Sequence, residues 1–188
     1  MHCDVFYFLN NEVKEVEYQE FKPQINQIVS NLNTLNWNSL VSEHSNTIKG
    51  NRSINPVLRR KVFRLLSEVL DYQFVDRNML DSKNMPTFQI FENLGINNRL
   101  YYQCFKDDIY ITYTTDNIIA VENKIFKNLL IREHINKNAV SVIITMGKEL
   151  HNLGGVDSTS ISFEAIIEYL KVYKNFINIP IVLIGLFP

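Results

Sequence analysis

The stretch Lys106-Asp107-Asp108-Ile109-Tyr110-Ile111-Thr112-Tyr113-Thr114, followed by Asp116-Asn117 and then Ile118-Ile119-Ala120-Val121-Glu122-Asn123-Lys124-Ile125, decides the fold. Its apolar positions are mostly β-branched or aromatic, the residue types that suit a pleated, half-buried surface. Asp116–Asn117 is a turn signal between two such runs. The pattern predicts a hairpin with strands over Asp108–Thr114 and Ile118–Ile125. On a strand, residues i and i+2 share a face, so Glu122 and Lys124 would project together. With a three-residue turn, Asp108 stands opposite Lys124; with a two-residue turn the register slips and Asp107 takes its place. Two carboxylates on one face can hold Mg²⁺, a hard cation that takes oxygen ligands. A lysine beside them can hold or deprotonate a water for in-line attack on phosphorus. The bland alternative is a polar strand face with a surface ion pair. The apolar run Ile118–Val121 just ahead of the triplet favours a lined cleft.

Working outward, Phe126–Ile135 reads as a helix and Val140–Thr145 as a strand buried on both faces. A polar loop covers Lys148–Ser162, a helix Phe163–Val172 and a closing buried strand Ile179–Leu186. Upstream, Val5–Leu9 is a short strand ending at the turn residues Asn10–Asn11. Tyr18, Phe21, Ile25, Ile28 and Leu32 recur at spacings of three and four, one face of a helix that starts close to Pro23. A shorter helix follows at Trp37–Ser45 and a polar loop at Asn46–Ser53. Asn55–Pro56 offers an N-cap and a first-turn proline for a helix that buries Leu58, Val62, Leu65 and Val69. Arg59, Arg60, Lys61 and Arg64 ride on its other sides, either as a solvated face or as phosphate contacts. Thr87–Phe91 and Arg99–Phe105 are further strand candidates. Helices, a hairpin, then strand–helix–strand–helix–strand describe an α/β (α+β) chain: a mixed sheet flanked by helices. With 188 residues and no linker or repeat, the expectation is a single domain over 1–188.

Charge is nearly balanced, 19 Lys+Arg against 20 Asp+Glu. A non-specific DNA binder is usually strongly basic, so any nucleic-acid site here must gather its basic groups on one face. Cys3 and Cys104 have no zinc-ligand spacing and read as free thiols. No charged-then-apolar leader opens the sequence, and the closing run Ile177–Pro188 is too short to span a bilayer; the expectation is a soluble cytoplasmic protein. The four histidines have no metal-pair spacing. Neither a phosphate-binding glycine loop nor a nucleophile motif occurs.

In several of these stretches the chain resembles the BglII/BstYI group of restriction endonucleases, within the PD-(D/E)xK nucleases. Ile118-Ile119-Ala120-Val121-Glu122 is similar to that group's catalytic strand. Val140–Thr145 with Lys148-Glu149-Leu150 resembles the strand and segment after it, and Ile179–Leu186 the closing strand. The Tyr18–Leu32 helix and Ile54-Asn55-Pro56-Val57 fall in the expected order. The group carries Gln or Glu where Lys124 stands, although Lys is common across the wider class. The resemblance implies a restriction-endonuclease-like fold and a type II endonuclease that uses Mg²⁺ to cut both strands of a short, palindromic double-stranded DNA site. The products would keep 5′-phosphates, and the enzyme would act as a homodimer. It implies Asp108, Glu122 and Lys124 as catalytic residues, with Asp108 and Glu122 on the metal and Asp107 and Asp116 as rivals for the aspartate. It also implies DNA contacts after the E-x-K strand, from Lys127, Asn128 and Arg132, and in the loop before the last long helix, from His151, Asn152, Asp157, Ser158, Thr159 and Ser160.

Overall fold

Two buried runs rich in β-branched residues, Val140–Met146 (β5) and Ile181–Phe187 (β6), lie side by side within the sheet. Every residue of β5 is buried and so are Ile181–Leu186 of β6, so side chains on both faces of the sheet are covered. The computed structural model describes residues 1–47, 53–74, 104–134, 136–156 and 159–188. The strand expected at Thr87–Phe91 lies outside the described residues, as does most of Arg99–Phe105.

The described strands make one six-stranded mixed sheet in the order β1-β6-β5-β4-β3-β2. They are β1 (His2–Tyr7), β2 (Gln73–Phe74), β3 (Cys104–Lys106), β4 (Ile109–Tyr113), β5 and β6. β4, β5 and β6 run parallel, with Ile111 beside Val142 and Val142 beside Val182. β1 is antiparallel to β6, β3 to β4 and β2 to β3. The helices are α1 (Val16–Gln19), α2 (Lys22–Leu32), α3 (Trp37–Thr47), α4 (Asn55–Arg64, continued by a π-helical turn Leu65–Val69), α5 (Ile118–His134), α6 (Lys148–Leu153) and α7 (Phe163–Val172). α5 crosses from β4 to β5; α6 and α7 cross from β5 to β6. This is the mixed sheet flanked by helices that the element order predicts. Among the described residues, no helix is long and apolar enough to cross a membrane.

α2 buries Ile25, Ile28 and Leu32 at the spacing read from the sequence, with Pro23 in its first turn. In α4, Asn55 does not cap its own helix. Its side chain reaches the sheet instead, accepting from the Tyr113 hydroxyl at 2.8 Å and donating to Thr115 Oγ1 at 2.6 Å. The Asn55 N–H finds the Ser53 hydroxyl at 3.2 Å.

The expected hairpin is the main correction. The hairpin that forms pairs β3 with β4, and its turn is Asp107–Asp108, since Lys106 stands opposite Ile109. Asp107 takes φ 52°, in the left-handed region that Asp tolerates better than bulky residues. The segment Ile118–Ile125 is helical, the first half of α5. Asn117 Oδ1 accepts the Ala120 N–H at 3.1 Å, an N-cap interaction. Val121, Ile125, Asn128 and Ile131 are buried at spacings of four, three and three, while Ile119 is 64% exposed. That helical period and cap outweigh the β propensity of Ile118, Ile119 and Val121, a weak local preference that tertiary packing overrides. The polar stretch after β5 also differs from expectation: it holds α6, whose first N–H, that of Lys148, is received by Glu164 Oε2 at 2.9 Å from α7.

Candidate nucleic-acid interface

Because α5 is a helix, Glu122 and Lys124 do not share a face. Successive residues rotate by about 100° around a helix, so positions i and i+2 diverge by about 200°. Glu122 turns toward α7, where the Tyr169 phenol hydrogen-bonds to it. Burial pushes that phenol up to about 12, and the Glu122 hydrogen bond and charge add to the rise. Lys124 turns the other way, to the C-terminal end of β4. Its ammonium donates to Thr114 Oγ1 at 2.6 Å and to Asp116 Oδ2.

Asp108 belongs to neither group. It sits at the opposite end of β4, where Oδ1 accepts from Asn136 Nδ2 at 2.6 Å and its carbonyl from the Val140 N–H at 2.8 Å. From Asp108 to Thr114 the chain is extended over β4, about 20 Å at the usual rise of about 3.3 Å per residue. The expected Asp108–Glu122–Lys124 cluster is therefore not assembled, and Asp107, in the same turn as Asp108, is no closer. Of the aspartates named from sequence, Asp116 is the one at Lys124. Burial pushes its carboxyl up, but the hydrogen bond and charge of Lys124, with Thr114 and Arg59, outweigh that and hold it below its ordinary value. β4 itself, Ile109–Tyr113, carries no carboxylate.

Around Asp116 the structure gathers three segments remote in sequence. Its carbonyl accepts from the Ile161 N–H at 2.9 Å, in the loop between α6 and α7. The same loop ties to the start of α4, through the Ile54 N–H to Gly154 O at 2.8 Å. Arg59, on the first turns of α4, is close enough to act on both Asp116 and Tyr113. Beside this junction lies a groove of about 790 Å³ lined by Asn117, Lys148, His151, Asn152, Thr159 and Ser160 among others. His151 is 9% exposed and its Nε2 is buried without a hydrogen-bond partner among the described residues. Burial pulls that imidazole below its ordinary value, against the opposing pull of Glu164. A second groove, of about 500 Å³, runs along α4 between Asn55, Arg59, Arg60, Phe63, Arg64 and Ser67. Arg59 stacks over Phe63 at 5.2 Å. Arg60 and Lys61 reach Glu43, at 3.4 and 2.8 Å.

The two sets of expected DNA contacts fare differently. His151, Asn152, Thr159 and Ser160 come together in the larger groove; Asp157 and Ser158 lie outside the described residues. Of the α5 set, Asn128 is 6% exposed and its amide donates to Ser141 Oγ. Arg132 is held by Glu17 at 2.8 Å and by the Ala139 carbonyl at 3.2 Å. Both serve the packing of α5 on β5 in this structure. Lys127 is half-buried; burial and then the charge of Lys124 lower its ammonium to about 8. Reading from sequence weighs Arg59 as a phosphate contact but does not place Lys148 or Asn117 at the groove. Asn117, which the sequence reads as part of a hairpin turn, is instead the cap of α5.

No protein-family model matches the chain, and no curated protein matches it. Solved structures do. The chain is similar to restriction endonuclease BglII complexed with a DNA 16-mer, at 15% identity and a TM-score of 0.59, over 99% of this chain and 76% of that one. It is similar to free BglII at 14% identity and a TM-score of 0.52, over 100% of this chain and 80% of that one. The chain has a BglII-like restriction-endonuclease fold.

That fold generally uses a divalent metal ion, and the donors here do not fit one. Asp108 is at the far end of β4, Glu122 is turned to Tyr169, and Asp116 is joined to an ammonium. Among the described residues, no group of three or more His, Cys, Asp or Glu could hold a metal.

Proposed function

We propose that this chain binds double-stranded DNA, as a homodimer on a short palindromic site, through the pole formed by the C-terminal end of β4, the start of α4 and the loop between α6 and α7. In open sheets with parallel strands, ligands bind outside the carboxyl ends of the strands. The observation that carries the reading is the convergence there of Arg59, Lys124 and Lys148 from three separate segments, beside a groove whose lining includes His151, Asn152, Thr159 and Ser160. Cations placed at one pole let a near-neutral chain meet phosphates. Polar side chains in the groove can meet base edges, where each base pair has its own donor and acceptor pattern. The solved BglII complex with a DNA 16-mer supports DNA as the partner. A two-fold homodimer matches the symmetry of a palindrome, and α4 is its candidate interface by analogy. A cytoplasmic location belongs to the same proposal.

The second reading is a type II endonuclease that cleaves both strands with Mg²⁺ and leaves 5′-phosphates. It would need Glu122 to turn away from Tyr169 and Lys124 to release Asp116, which would stand in place of Asp108. What favours it is the Asp116–Lys124 pair, a carboxylate and an ammonium at the end of a central strand. Incubation of a sequenced plasmid with the protein and Mg²⁺ separates the two. Binding alone leaves the plasmid intact and retarded on a gel. Discrete fragments, lost in the Glu122→Ala or Asp116→Asn protein, establish the second reading.

A further inference from the structure

We infer that Lys124 is a built-in counter-ion at this pole, so that its contact with DNA phosphates draws on no divalent cation. The inference rests on the DNA-binding reading above for its partner, and on the geometry alone for the cation. The Lys124 side chain is 13% exposed and is fixed by Thr114 Oγ1 and Asp116 Oδ2. Thr114 closes the cluster: its hydroxyl lies 3.0 Å from Asp116 Oδ2 and accepts the Asp116 N–H at 3.2 Å. The ammonium therefore takes Oδ2 and balances the charge of the one carboxylate in the cluster. The groups that act on this cluster are basic: Arg59 on Asp116, and Lys127 beside Lys124. A divalent cation arriving here meets one carboxylate, already neutralised, among three positive side chains. Mg²⁺ is usually held by one or two carboxylates together with substrate phosphates, and the one carboxylate in this cluster is already paired with an ammonium. A phosphate meets the reverse: a surplus of positive charge and an ammonium held in position. Charge-assisted hydrogen bonds to anions are the strong ones, and this one needs no ion to be recruited.

Two measurements on the full-length protein test this. In the first, free protein is titrated with Mn²⁺ and binding is followed by calorimetry. The expected result is no saturable site up to about millimolar Mn²⁺, weaker than Ca²⁺ or Mg²⁺ sites built from several carboxylates. Stoichiometric Mn²⁺ binding overturns the inference, whichever carboxylates hold the ion. In the second, affinity for a labelled duplex is measured in EDTA and in Ca²⁺ at matched ionic strength. Wild type should differ by less than about twofold between the two, and Lys124→Met should bind about tenfold more weakly in both, the loss expected for one charge-assisted contact. Lys124→Arg, which keeps the charge, should retain most of the affinity and guards against a folding defect in the methionine variant. A tenfold gain on adding Ca²⁺ to wild type overturns the inference. Failure to bind duplex in either condition would sink the DNA-binding reading instead, and the Mn²⁺ titration would still decide the cation question.

Discussion

Tyr18 offers the sharpest test of how the sheet is held. Its side chain is fully buried, and its hydroxyl stands between two backbone groups. It accepts from the Ile181 N–H at 3.0 Å and donates to the Phe8 carbonyl at 2.5 Å. The strands β1 and β6 pair as far as Tyr7 opposite Val182. At the next step the Phe8 N–H still reaches the Ile181 carbonyl, at 3.0 Å, but the return bond is replaced by the hydroxyl. Tyr18 is thus a wedge that continues the ladder where the strands part. Tyr18→Phe keeps the ring and removes the relay. It leaves a buried N–H and a buried carbonyl without this partner, at about 1–3 kcal/mol for an unsatisfied group and about 1 kcal/mol for the further lost bond. The sum, about 2–4 kcal/mol, lowers Tm by roughly 5–15 °C in a chain of this size. Scanning calorimetry reads the shift, and amide exchange reads the Ile181 N–H, which should lose protection ahead of the rest of β6. A Tm loss under about 2 °C with Ile181 still protected would mean that the strands close directly on each other when the hydroxyl goes. The wedge reading would then be wrong.

Three further outcomes follow from particular contacts. A Cβ at Gly185 of β6 would lie 2.5 Å from the Phe163 ring, so Gly185→Ala should cost about 1–3 kcal/mol by overpacking, read by urea denaturation, and adding Phe163→Leu should recover part of it. Lys127 has its ammonium lowered to about 8 from 10.5; the unfolded chain then binds the extra proton between those values, so the burial penalty is fully present below pH 8 and fades as pH rises to 10.5. Lys127→Met should therefore raise Tm at pH 7, and the gain over wild type should shrink across that window in thermal melts. Removing one phosphate contact with Arg59→Ala should weaken binding to all duplexes alike and reduce the slope of log affinity against log salt by about 0.9.

Where local pattern and tertiary role agree, the sequence was legible. The sequence predicts a strand over Val140–Thr145 and β5 runs Val140–Met146; the helix Phe163–Val172 is as predicted, with the Ser162 hydroxyl accepting the Ala165 N–H at 3.4 Å. Continuous β-branched runs and capped amphipathic helices carry their own signals. The 118–125 segment was misread because Ile and Val crowd the first turns of α5, while the evidence for a helix was a single capping Asn117 and a period visible only when Asn128 is counted as buried. That error moved the candidate site, since a strand would put Glu122 and Lys124 on one face and a helix separates them. The pairing of β4 with β5 in parallel, and the capping of α6 by Glu164 from sixteen residues downstream, are non-local, and no window of sequence shows them. The polar composition of the His151–Ser160 region is legible in sequence, while the helix α6 that carries His151 and Asn152 is not. The sequence reads Lys124 as a catalytic residue on a strand and Arg59 as either a solvated or a phosphate-contacting residue; their proximity to each other is supplied by the fold.

The central claim is that duplex DNA is held at this pole. It is tested most directly by titrating a labelled duplex, drawn from a pool selected on the protein, against wild type and an Arg59→Ala/Lys124→Met/Lys148→Ala variant of unchanged circular dichroism, across a salt series. The account predicts tight, salt-dependent binding by wild type. In the variant, affinity should fall by at least about a hundredfold at low salt, and the salt slope should be shallower by about 2–3 in step with the cations removed. Equal affinity and slope in the two proteins, or no duplex binding by wild type at micromolar concentration, would contradict it.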